Sequence, residues 1–219
     1  VVMGCTTLGQ GFSATAADST TAEEEVEINF AKALQMSLYF YDANKCGSGI
    51  TGGNLEWRGD CHTEDAAVPL KPMGKDYKGT NLSQEFIDAH RDILDPDGDG
   101  TIDVAGGMHD AGDHVKFCLP GSYAASTLGW GYYEFRDAYV DSGQQWHVED
   151  ILHWFNDYYL KCTYFDENGD ILAFCYQVGE GDIDHNYWNA PELQNESLLD
   201  FARPAYFATV ETPASDMCA

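Results

Sequence analysis

The sequence predicts an all-α domain, an all-helical barrel or array whose connecting loops gather at one end. Two observations carry this. Apolar residues recur at helical spacing in four successive segments, and only one short stretch alternates weakly in the manner of a strand. The connections between those segments are long and rich in glycine, histidine, aromatic and acidic residues, a composition suited to functional loops on a helical frame.

The first helix starts at the N-cap Asn29 and runs to about residue 44, with Phe30, Leu34, Leu38 and Tyr41 on one face. Residues 47–53, rich in glycine, break it, and the following loop carries Trp57-Arg58-Gly59-Asp60-Cys61-His62. A second helix is expected over residues 83–94, with Phe86, Ile87, His90 and Leu94 inward, stopped by Asp95-Pro96. Residues 122 to about 139 form a third, with Ala125, Leu128, Tyr132, Phe135 and Tyr139 recurring at helical spacing. Residues 148–162 form a fourth, placing Ile151, Leu152, Phe155, Tyr159 and Cys162 inward. Residues 171–178 read as a short strand, and Ser215 as the N-cap of a further helix.

Composition narrows the partners. Eleven Lys and Arg against 37 Asp and Glu give a formal charge of −26 in 219 residues, which repels nucleic acid and anionic membranes. Thirteen tyrosines, eleven phenylalanines and five tryptophans supply aromatic faces, which fill cores and also stack on sugar rings. Residues 1–28 read as a signal-peptide remnant, with Ala14-Thr15-Ala16 as a small-x-small cleavage signal, followed by an acidic linker. Lipoprotein-style processing at Cys5 is the alternative, and both place the protein outside the cytoplasm. No later stretch is long and apolar enough to span a membrane. Seven cysteines leave at least one unpaired, bound to metal or lost with the leader, Cys5 first. Cys162 and Cys175 flank a short acidic turn, while Cys118 and Cys218 read as buried thiols.

Four constellations carry chemistry. In residues 106–117, Asp110 and Asp113 stand three apart between His109 and His114, in a segment too glycine-rich for a helix interior. Two acids this close push their pKa values apart, which suits a general base and its helper, or they are turn residues that bond their own backbone. Asp95, Asp97, Asp99 and Asp103 take positions 1, 3, 5 and 9 of a calcium loop, with Gly100 at position 6. Position 12 is Gly106 where a bidentate acid is expected, so a plain acidic turn competes. Cys46, Cys61, His62 and His109 are a complete tetrahedral zinc set, against a Cys46–Cys61 disulfide. Residues 179–188 form a polar, glycine-rich loop ending in Tyr187 and Trp188, a candidate ligand-facing surface.

At Asp110-Ala111-Gly112-Asp113-His114-Val115-Lys116-Phe117 the chain resembles the endoglucanases of glycoside hydrolase family 9. The likeness includes Phe40-Tyr41-Asp42-Ala43 and Trp57-Arg58-Gly59-Asp60 before it. After it come Ala125-Ser126-Thr127-Leu128-Gly129-Trp130-Gly131, Tyr176-Gln177-Val178-Gly179, Asp184-His185, Arg203-Pro204 and Pro213-Ala214-Ser215-Asp216. The resemblance implies an (α/α)6 barrel, about half of it in this chain, and inverting hydrolysis of β-1,4-glucan by a secreted monomer that other modules can accompany. It makes Asp113 the general base and Asp110 the holder of the attacking water. His185 becomes a substrate-binding histidine, with Tyr187 and Trp188 as stacking aromatics. A branch of the family holds a structural zinc with two cysteines and two histidines in these motifs, which favours zinc at Cys46, Cys61, His62 and His109.

The two carboxyls of an inverting pair stand roughly 6.5 to 9.5 Å apart on opposite faces of the sugar. Asp110 and Asp113 contact one face and are not that pair. The family's acid is a glutamate beyond Ala219, and Glu180, Glu192 and Glu196 do not match its motif. Residues 29–219 therefore read as the N-terminal portion of a catalytic domain, with an insertion over about 71–103, and the chain alone is expected to be inactive. The competing reading is a non-catalytic glucan-binding or cell-surface protein that keeps the aromatic cleft. A helical-barrel enzyme acting on another polysaccharide is a third.

Overall fold

The computed structural model describes residues 28–194 and 203–214. The leader with Cys5, the helix expected at Ser215, Glu196 and Cys218 lie outside the described residues.

Helix α1 (Phe30–Asn44) starts where Asn29 caps it, the Asn29 Oδ1 accepting the Lys32 N–H at 2.9 Å. Such a cap contributes about 1 kcal/mol. Leu38 is buried, but Phe30 is 75% exposed, so the apolar stripe engages the core only through its C-terminal half. The strands β1 (Val68–Pro69) and β2 (Thr101–Ile102) pair antiparallel and close the base of an excursion. That excursion carries α2 (Gln84–Ala89) and α3 (Arg91–Leu94). The single helix expected there is broken at His90 (φ −127°, ψ 24°), while Ser83 caps it and Ile87 and Leu94 point inward as expected.

After β3 (Lys116–Phe117), α4 (Cys118–Glu134) starts earlier than expected because Pro120 sits in its first turn, where no intrahelical N–H is required. It ends at Phe135, which has φ −122° and is 67% exposed instead of inward. The chain resumes as α5 (Arg136–Asp141). α6 (Gln145–Lys161) buries Val148, Ile151, Phe155 and Tyr158 and packs against α1, α4 and α5.

The expectation of an all-helical chain is corrected by a four-stranded antiparallel sheet. Its spine is β5 (Ile171–Val178), joined on one edge by β6 (Ala205–Thr209) and on the other by β4 (Thr163–Phe165) and then β3. Ala173, Cys175 and Val178 of β5 are fully buried, while Leu172, Phe174 and Tyr176 on its other face also pack against the core. Apolar residues on both faces blur the period-two pattern of a strand. The remaining strands are too short to leave one.

Two large apolar cores result among the described residues, beside a small cluster of Cys46, Ile50 and Cys61. One lies between the excursion and the sheet, around Ile87, Leu94, Ile102, Tyr158, Val178 and Phe207. The other joins α1, α4 and α6 through Leu38, Val148, Ile151 and Phe155. The loop of residues 106–115 crosses between them.

Candidate active site and metal centre

The loop between β2 and β3 is anchored at both ends before any of its side chains act. The Cys46 N–H donates to Gly107 O at 2.9 Å, the His109 N–H to Asn44 O at 2.8 Å, and the Asp110 N–H to Val115 O at 2.9 Å. From α6, Trp154 Nε1 donates to Gly107 O at 2.8 Å, and the Tyr158 ring lies under Gly107. Gly107 has φ +74°, and a Cβ there would stand 2.7 Å from the Tyr158 ring. Gly107→Ala is therefore expected to destabilise the fold by about 2 kcal/mol, through left-handed backbone strain and overpacking against a buried ring. Chemical denaturation checks this, and an unchanged midpoint contradicts it.

The anchored loop presents Asp113 and Asp110 differently. Asp113 is 1% exposed, and its Oδ2 makes no hydrogen bond, although His185 Nδ1 stands 3.1 Å away as an ion-pair contact. Asp110 is exposed at the rim, and partial burial and then the nearby Asp113 charge raise its pKa. The two acids are thus a buried carboxylate and a rim carboxylate on one loop, and neither is merely capping a turn. Beside them, α7 (Gly181–Asp184) delivers the loop that carries His185, Tyr187 and Trp188. His185 and Trp188 meet edge to face at 5.2 Å, and Tyr187 lies 5.6 Å from His114. The exposed Trp188 ring covers Gly112, where a Cβ would come within 2.6 Å of it. His185 thus meets both Asp113 and Trp188, Tyr187 packs on His114 next to Asp113 in the chain, and Asp110 lies at the rim.

Directly behind the loop, Cys46, Cys61, His62 and His109 converge, their donor atoms all within 4.8 Å of one another and all four residues buried. Cys46 Sγ and His62 Nδ1 are 3.8 Å apart, and His62 Nδ1 and His109 Nε2 are 3.2 Å apart. Donors on a tetrahedral zinc with Zn–S about 2.3 Å and Zn–N about 2.0–2.1 Å stand roughly 3.3–3.8 Å from one another, so the donor set fits that ion. Burial, then the neighbouring His62, hold the His109 pKa well below its usual value, leaving the neutral imidazole that a metal requires. Burial pushes the Cys46 thiol up, whereas a hydrogen bond from Cys46, and further Arg58, hold Cys61 down. Arg58 Nη2 lies 3.5 Å from Cys61 Sγ and also donates to Lys45 O. Cys46 and Cys61 are free thiols, not a disulfide.

In the acidic loop, Asp95, Asp97 and Asp99 gather their carboxylates, and Asp95 Oδ1 is buried with no hydrogen-bond partner. Asp103 does not join them. Its Oδ1 accepts the Ala105 N–H and its Oδ2 pairs with Lys161 Nζ at 3.1 Å, because β2 carries it away from the loop. Of the four aspartates expected to form a calcium loop, three gather and Asp103 stands apart.

Sequence reasoning missed Asp65 and Gln194, and the roles of Asp184, Lys116 and Arg203. Asp65 accepts from Arg203 Nε at 2.9 Å and pairs with the fully buried Lys116 Nζ at 2.9 Å. Arg203 also binds Asp184 and donates to His114 O at 3.0 Å. These partners lie up to 138 residues apart, and no local pattern marks them. Arg58 Nε binds Glu192 Oε1 at 2.7 Å, and this pairing outweighs burial to hold Glu192 below its usual pKa.

The profile described as Glycosyl hydrolase family 9 matches residues 30–219. The chain is 32% identical over 193 residues to Endoglucanase 4 of Bacillus sp. (strain KSM-522), covering 88% of this chain and 24% of that protein. It is 30% identical over 191 residues to Endoglucanase 14 of Oryza sativa subsp. japonica, covering 87% and 35%. It superposes on the catalytic domain of Clostridium thermocellum CelT with a TM-score of 0.79 and 53% identity, over 87% of this chain and 37% of that one. On the cellulase Cel9M of C. cellulolyticum the TM-score is 0.61 with 36% identity, over 87% and 36%. The chain thus spans between 24% and 37% of the length of these proteins. With the family profile matched over residues 30–219, the chain belongs to glycosyl hydrolase family 9.

Proposed function

We propose that this chain is the base-bearing portion of an endo-β-1,4-glucanase that hydrolyses cellulose with inversion. One observation carries the reading. Asp113 keeps a carboxylate oxygen buried without a hydrogen bond, a costly arrangement for a group that only supports the fold, beside an exposed His185–Trp188 face that suits a sugar. In this reading the water sits against Asp113, which takes its proton as the anomeric carbon is attacked, while Asp110 orients the water. Tyr187 and Trp188 stack on glucosyl units, and His185 both contacts substrate and fixes Asp113.

The general acid must donate from the opposite face and hold its proton until the bond breaks. Glu192 does not suit that role, because Arg58 keeps it ionised, and Glu180 is engaged by the Tyr206 hydroxyl. As the family resemblance implies, the acid in this reading comes from outside this chain, the barrel is an (α/α)6 barrel of which the chain supplies about half, and the chain alone is inactive. The whole enzyme is a secreted monomer. Among the described residues no helix is long and apolar enough to cross a membrane.

Cys46, Cys61, His62 and His109 would hold zinc, and Asp95, Asp97 and Asp99 calcium. Four protein ligands leave zinc no open position, so it would pin the loop and not activate water. Metal analysis of the purified protein is expected to find about one equivalent of zinc with Cys46 and Cys61 reduced, as a closed structural site requires. Less than about a tenth of an equivalent with both thiols oxidised would contradict the metal reading. For the activity, the enzyme containing this chain and the acid should release reducing sugar from carboxymethylcellulose and not from xylan or mannan. Binding of glucan without release would make it a binding protein.

A further inference from the structure

Gln194 connects the four-ligand cluster to the substrate loop. It is 5% exposed, and its Nε2 donates to Asp184 Oδ1. A carboxylate only accepts, and Arg203 holds the other oxygen of Asp184, so the amide NH2 of Gln194 must face Asp184. Its Oε1 then faces two imidazoles at once, His62 Nε2 at 2.9 Å and His114 Nδ1. Because a carbonyl oxygen only accepts, both rings must donate. His62 is thereby fixed as its Nε2–H tautomer, with the Nδ1 lone pair directed at Cys46 Sγ and His109 Nε2 inside the cluster. On the far side, Asp184 is the last residue of α7, and the next residue, His185, places Nδ1 3.1 Å from Asp113 Oδ2. Hydrogen bonds therefore run from the donor cluster through His62 and Gln194 to Asp184, whose peptide link to His185 carries the connection on to the base.

We propose that Gln194 is a positioning residue that couples metal occupancy to glucan binding, by setting the His62 tautomer on one side and anchoring the His185 loop on the other. The inference rests on the zinc and substrate readings above. Linkage requires the coupling to be reciprocal, so glucan should also tighten zinc. Neighbours outside the ligand set that orient metal-bound histidines typically change metal affinity about 10- to 100-fold when removed.

The test measures zinc affinity by chelator competition and cellotetraose affinity by calorimetry, each on the zinc-loaded and zinc-free protein. In the parent, zinc should tighten cellotetraose about fivefold or more, within the usual range of allosteric coupling. Gln194→Met removes the acceptor at similar volume and should weaken zinc about tenfold or more. Gln194→Glu keeps an acceptor for His62 but faces Asp184 with a carboxylate. It should hold zinc within about threefold of the parent and lose the effect of zinc on cellotetraose.

A parent that binds no zinc overturns both this inference and the metal reading. A parent that binds zinc but takes cellotetraose no more tightly with it overturns the coupling alone. So does a Gln194→Met protein whose zinc affinity is unchanged, or a Gln194→Glu protein that keeps the parent's coupling.

Discussion

Asp113→Ala, made in the enzyme that also supplies the general acid, is expected to lower kcat by about two to four orders of magnitude, the usual weight of general base catalysis. Cello-oligosaccharide binding should remain measurable, because the exposed Trp188 has its ring contact with His185 and not with Asp113. The mechanism sets this asymmetry. Proton abstraction from water is felt only in the transition state, so losing the base removes turnover and leaves ground-state binding largely intact. Asp110→Asn should fall less, since Asp110 is a rim carboxylate and in the proposed mechanism orients the water without taking its proton. Steady-state kinetics paired with calorimetric binding separates the two effects. Turnover of Asp113→Ala within about tenfold of the parent would remove Asp113 from the base role.

Arg203→Met should cost the fold about 3–5 kcal/mol, the usual effect of removing one partner from a buried ion pair. This is a large share of the roughly 5–15 kcal/mol that holds an ordinary domain together. Arg203 is 5% exposed and lies between two fully buried carboxylates, Asp65 and Asp184. Burial alone would raise the Asp65 pKa, but Arg203 and then Lys116 outweigh it and hold the carboxyl well below the usual range. Without the guanidinium, Lys116 would be left to balance Asp65, and Asp184 would keep only the Gln194 amide. Arg203→Lys should recover only part of the loss, because one ammonium cannot reproduce the fork that reaches Asp65, Asp184 and His114 O together. Urea denaturation measures both variants, and a loss under about 1 kcal/mol for Arg203→Met would mean that the network is not structural.

The parts legible in the sequence are those encoded within a few residues. Asn29 and Ser83 are side-chain caps a propensity argument can find, and the inward residues Ile151 and Phe155 of α6 follow from a period of 3.6. The Asp110–Asp113 loop announced itself by glycine content, since Gly107 must be glycine to pass over Tyr158. Cys46, Cys61, His62 and His109 were legible only as a donor inventory, because nothing in their spacing says that α1 ends where the β2–β3 loop returns. The sheet was half visible. β5 carries β-branched and aromatic residues, but apolar side chains on both its faces hide the alternation, and β3 and β6 become strands only by pairing with it. That Asp103 stands apart from the other three aspartates was not legible, because loop spacing cannot foresee that Lys161, 58 residues on, pairs with it. Gln194 and Asp65 left no signal, since their partners are distant in sequence and their chemistry is common to most polar residues.

The central claim is that Asp113 activates a nucleophile on the face opposite the leaving group, and rescue of Asp113→Ala with azide tests it most directly. Azide is a small anion that needs no base, so in the space left by the carboxylate it can attack the anomeric carbon of a β-1,4-glucan chain while the acid still protonates the departing sugar. The product expected is the α-configured cello-oligosyl azide, formed with inversion at a rate that rises with azide concentration. A β-configured azide, or hydrolysis undiminished by the substitution, would contradict the account.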